Sequence, residues 1–83
     1  MKYLVLTIRK SGFDPQVIPA HYEFLDNLRN RQLLEQAGPF TDKTGGAYVL
    51  KANGLDEARR LAEQDPLNLK QCSAITVYEW DAT

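Results

Sequence analysis

An α+β fold is what this sequence predicts: one antiparallel four-stranded sheet with two helices packed on one face. Three observations carry that expectation. Two segments show helical apolar stripes, Phe24-Leu25-Leu28 and Leu55-Ala58-Leu61-Ala62. The chain opens and closes on runs rich in β-branched and aromatic residues, Lys2–Arg9 and Cys72–Trp80. Between the stripes lie two shorter strand-like runs split by turn residues. Eighty-three residues suffice for one domain spanning 1–83, with a modest core.

In order, Lys2–Arg9 reads as a strand with Leu4, Leu6 and Ile8 on one face and Tyr3, Val5, Thr7 and Arg9 on the other. The wholly aliphatic face is the one expected to meet helices. The mixed face is too apolar for bulk water and suggests cover by another subunit. Lys10–Ile18 is a loop carrying Gly12 and Asp14-Pro15. A helix then runs from about Pro19 to Arg29 or Asn30, with Pro19 suited to its first position and Asn30 to a left-handed cap. Leu33–Gly38 is a weaker strand, stopped by Gly38-Pro39-Phe40. Thr41–Gly46 is turn chemistry, and Ala47–Ala52 pairs back as a hairpin. Asn53-Gly54 opens a second helix, Leu55 to about Gln64, with Asp56 and Glu57 at its positive end and Pro66 as its stop. Leu67–Gln71 is a loop, Cys72–Trp80 the last strand, and Asp81–Thr83 a fraying end. The order β-α-β-β-α-β is the split βαβ pattern of ferredoxin-like folds.

That topology makes the two helices antiparallel, which matters for the only histidine. His21 lies in the first turn of the first helix and shares its stripe with Phe24, Leu25 and Leu28. The start of this helix must lie beside the end of the second, where Asp65 stands. Asp65 continues the stripe of Ala58 and Leu61, so it faces inward, and as a carboxylate at a helix C-terminus it opposes the macrodipole. An inward acid needs a donor. His21 supplies one, and Asp65 would fix the imidazole tautomer and leave the other nitrogen free as a general base or acid. The plainer alternatives are a core histidine with one satisfied bond and a carboxylate bonded to the amides of the Pro66-Leu67-Asn68 turn.

Other features are less telling. Gly38-Pro39-Phe40 and Gly45-Gly46 fit turn geometry, or small residues that bring backbone amides near a ligand; no phosphate-binding pattern is complete. Tyr3, Tyr48, Tyr78 and Trp80 are aromatics on strands. Tyr78 and Trp80 share a face with Thr76, opposite Ile75 and Val77, and would line a pocket or a subunit interface. Cys72 is the sole cysteine, which excludes an intrachain disulfide and a CxxC metal site. Ten Lys+Arg against eleven Asp+Glu give a net charge of -1 without clustering, so no nucleic-acid or anionic-lipid footprint is present. No apolar span suits a membrane helix and no signal-peptide pattern precedes the first strand, so a cytoplasmic protein is expected.

At these residues the sequence resembles the YciI-like (YCII-related) family, over nearly the whole chain. The likeness rests on Tyr3–Arg9, His21-x-x-Phe24-Leu25, Ala37-Gly38-Pro39-Phe40, Asp42-x-x-Gly45-Gly46, Asp56-Glu57-Ala58-x-x-Leu61-Ala62, Asp65-Pro66 and Trp80. The resemblance implies a dimeric α/β barrel, a homodimer in which two sheets pack face to face. It also implies an active site on the histidine and the aspartate of the Asp-Pro motif, here His21 and Asp65. A related dehydrochlorinase acting on a chlorinated hydroxyhydroquinone uses this scaffold. Two departures stand out. The loop before His21 lacks a second histidine or carboxylate cluster, which argues against a metal. Asn30-Arg31-Gln32 stands where the family often has glycine.

The expectation is therefore a small enzyme without metal or cofactor. His21 acts as base and Asp65 orients it, in proton abstraction or elimination on a small cyclic or aromatic molecule. Gly38, Pro39, Phe40, Tyr78 and Trp80 shape the substrate site. The alternative is a non-catalytic ligand-binding or assembly module in which the dyad is a structural hydrogen bond.

Overall fold

The computed structural model describes residues Met1–Thr83. Strand β1 (Lys2–Arg9) leads through a single 3₁₀ turn (Pro15–Val17) into helix α1 (Ile18–Asn30). Strands β2 (Leu34–Pro39) and β3 (Gly45–Leu50) form the hairpin. Helix α2 (Leu55–Glu63), a short helix α3 (Pro66–Leu69) and strand β4 (Ser73–Trp80) complete the chain. The sheet order is β2-β3-β1-β4 with every neighbouring pair antiparallel, so β1 and β3 are central as the ferredoxin-like pattern requires.

The faces of β1 are the reverse of the expectation. Tyr3, Val5 and Thr7 are buried beneath the helices, whereas Leu4 and Leu6 are half-buried and Ile8 is exposed on the open side. The reason lies in what the helices bring. Their stripes contribute Leu25, Leu28, Ala58 and Ala62, and the two alanines leave room for large sheet residues. Tyr3 and Tyr48 fill that space together with Val5 and Leu50, and alternation then turns the small aliphatic set outward.

Three connections also differ from the sequence reading. Asn30 remains helical, and the left-handed residue is Gln32 (φ 60°). The Leu33 amide donates to the Leu28 carbonyl at 2.9 Å and the Gln32 amide to Arg29 at 3.0 Å, which is a Schellman cap in the turn where glycine would be usual. Residues 67–71 are not simply loop: α3 occupies most of them and ends in a second such cap, with Gln71 at φ 57° and the Cys72 amide on the Leu67 carbonyl. Gly45 and Gly46 lie in β3 rather than in the turn. A Cβ on Gly45 would sit 1.9 Å from the Thr7 carbonyl oxygen, so β1 and β3 pair closely there only because it is glycine. Pro39 ends β2 inside the sheet, tolerated because β2 is an edge strand.

Candidate functional site

The site forms where α1 begins and α3 begins, above the Gly45 end of β3. Asp65 is the residue that joins them. It follows α2, whose last helical residue is Glu63, and serves as the N-cap of α3, with Pro66 after it and its side chain accepting the Leu67 amide. The expectation of a carboxylate opposing a helix dipole is thus corrected. Pro66 ends one helix and starts the next, so Asp65 meets free amides instead of free carbonyls.

Asp65 is fully buried and takes three donors. Its Oδ1 lies 2.9 Å from His21 Nδ1 and accepts the Leu67 N–H at 2.9 Å, while Oδ2 accepts the Tyr48 O–H at 2.9 Å. Tyr48 is the member that sequence reasoning missed. Burial first, and the neighbouring Asp65 carboxylate second, push its hydroxyl pKa well above the usual tyrosine range, so it remains a donor. Its signal was alternation within β3, where it shares a face with Leu50 and Gly46 and points under the helices. Leu67 N–H can only donate, and an ionised carboxylate can only accept. Facing that carboxylate, Nδ1 is the donor nitrogen, and Nε2 has no hydrogen bond within the chain.

His21 is half-buried and lines a cavity of about 70 Å³ together with Tyr48, Thr7, Phe13, Gly38 and Pro39. A single water needs roughly 10–15 Å³, so there is room for several non-hydrogen atoms. The His21 ring also stands 6.2 Å from Tyr48, tilted by 48°, within the range of aromatic pairing. Ser73 and Arg9 border the same cavity, and neither was singled out by the sequence for this site.

The structure brings together His21, Asp65, Gly38 and Pro39. It places Phe40, Tyr78 and Trp80 elsewhere. Phe40 is more than a third exposed beyond the end of β2 and does not border the cavity. Tyr78 and Trp80 pair with Leu4 and Lys2 on the open face of the sheet, at the far end from Ser73. Alternation turns them away from the helices, so they do not reach His21 within this chain. No group of three or more His, Cys, Asp or Glu side chains is arranged to hold a metal ion. No helix is long and apolar enough to cross a membrane.

Comparison with known proteins adds the following. The YCII-related domain family matches residues 1–81. The uncharacterized protein YjpA of Bacillus subtilis (strain 168) is 45% identical over 78 residues, covering 94% of this chain and 92% of that protein. The 5-chloro-2-hydroxyhydroquinone dehydrochlorinase TftG of Burkholderia phenoliruptrix AC1100, solved with 2,5-dihydroxybenzoquinone, superposes with a TM-score of 0.79. That likeness spans 100% of this chain and 96% of TftG at 24% identity, and it establishes a shared fold.

Proposed function

Since the chain belongs to the YCII-related family, we propose that it is a small acid–base enzyme acting on a cyclic or aromatic molecule through His21. One observation carries this reading. On the Asp65 side the imidazole is held by a carboxylate that Tyr48 and Leu67 fix in turn, while Nε2, on a ring that lines a cavity, bonds to nothing in the chain. In the proposed step Nε2 takes a proton from a hydroxyl or an activated carbon of the substrate. The electron pair left behind moves into the ring system, and in an elimination the leaving group departs with its bonding pair. Asp65 holds the resulting imidazolium, and Tyr48 and Leu67 hold Asp65. The fold shared with a dehydrochlorinase supports a substrate of this class.

The open sheet face supports a second copy as partner. Ile8, Tyr78 and Trp80 are exposed there, and Leu4, Ala47, Val49 and Trp80 line a shallow groove on it. Face-to-face packing of two such sheets would cover this surface. Sedimentation should give a dimer that Leu6→Glu disperses; a monomeric wild type would remove this part of the proposal.

The test of the catalytic reading is turnover of small hydroxylated and halogenated rings, followed by absorbance and by halide release. His21→Asn should lower kcat by at least about 10²-fold with binding retained. Asp65→Asn should lower kcat too, since the tautomer is no longer imposed. If wild type turns over and binds no compound of this class, while both variants lose only stability, the alternative holds and the pair is a structural tie between α1 and α3.

A further inference from the structure

We propose that Ser73 and Arg9 form an oxyanion-recognising end of the cavity, so that the molecule presented to His21 carries an ionised oxygen. The inference rests on the acid–base reading of His21 given above. Its first support is Ser73. Buried hydroxyls nearly always have a partner, yet Ser73 Oγ, in a residue only 2% exposed, is the single buried side-chain polar atom with none. Ser73 is one of the residues that line the same cavity as His21. Desolvating a hydroxyl without a partner is unfavourable, and a ligand oxygen that accepts its O–H would remove that penalty.

The second support is Arg9. Register places it directly opposite Ser73 across β1 and β4, so both side chains rise on the helix-covered face. Its guanidinium lies 4.2 Å from the centre of the Phe13 ring, and Phe13 also borders the cavity. Stacking on the ring limits where the planar group can turn. No carboxylate of the chain pairs with it: the ion pairs present are Lys2–Glu35, His21–Asp65 and Arg29–Asp26. An exposed cation without a carboxylate partner, paired in register with a residue whose buried hydroxyl has no partner, suits an enolate, phenolate or carboxylate oxygen. A neutral ligand would use the hydroxyl and leave the charge idle.

The experiment measures binding of three probes by absorbance or calorimetry: 2,5-dihydroxybenzoquinone (enolate oxygens), benzoate (carboxylate) and hydroquinone (uncharged at neutral pH). Wild type should prefer one of the ionised probes to hydroquinone, and the preferred one identifies the kind of oxygen acid. Ser73→Ala and Arg9→Gln should each weaken that probe by about tenfold or more and leave hydroquinone nearly unchanged. Ser73→Ala should melt no lower than wild type, which separates loss of recognition from loss of fold. If wild type binds an ionised probe and neither variant weakens it, or hydroquinone binds equally well, the Ser73–Arg9 assignment is overturned while the reading of His21 stands. If wild type binds none of the three yet turns over another ring compound through His21, the Ser73–Arg9 assignment falls and the reading of His21 stands; if it also turns over none, the reading of His21 falls with it.

Discussion

The two ends of one cavity are built on opposite terms. At the α3 end, behind His21, Asp65 is a buried carboxyl group with a protein donor on each oxygen and three in all. At the β1–β4 end, Ser73 is a buried hydroxyl with no partner, beside a cation with no counter-ion. The first end is finished when the chain folds, whereas the second is completed only by something else. Groups that orient a reactive atom are worth holding rigid, and groups that recognise a ligand are worth leaving unsatisfied. The contrast separates residues whose loss costs stability from those whose loss costs binding.

The sharpest break is Asp65→Ala. It orphans the Tyr48 hydroxyl and the Leu67 amide together, each costing about 1–3 kcal/mol, and chemical denaturation should show a loss of about 3 kcal/mol or more. Tyr48→Phe removes one donor and should cost about 1–2 kcal/mol. It also tests the alkaline limb. Tyr48 has its folded-state pKa raised, by burial and then by Asp65, above the unfolded value of about 10. Its contribution is whole below that pH and is lost as pH rises toward the folded value, because only the unfolded chain releases the proton. Stability should therefore fall above pH ~10 with a component of about 1.4 kcal/mol per pH unit that Tyr48→Phe lacks. At the other end, Ser73→Ala should change stability by no more than about 0.5 kcal/mol, or raise it, since it deletes an unpartnered polar group. A large loss there would erase the contrast.

Much of this was legible in the sequence, for reasons that can be traced. Element order follows from apolar periodicity, and antiparallel helices bring His21 to Asp65 whatever the details. The site pair was readable because topology alone delivers it. What escaped depended on volume and on cap geometry. The faces of β1 were inverted because hydropathy ranks Leu4, Leu6 and Ile8 above Tyr3 and Thr7, while the space beneath Ala58 and Ala62 calls for larger rings. Helix α3 was hidden because Pro66 signals a stop and a start with the same letter. Ser73 carries no signal at all, since a missing partner is a property of three dimensions.

Asp65 also gives the site a built-in gauge. The oxygen that orients the imidazole is the oxygen that holds the Leu67 amide, and α3 is a single turn. Fraying of that turn and release of His21 are then one opening event, seen from two elements. The deuterium-exchange rate of one leucine amide, itself no party to proton transfer, would report how often the histidine is out of position.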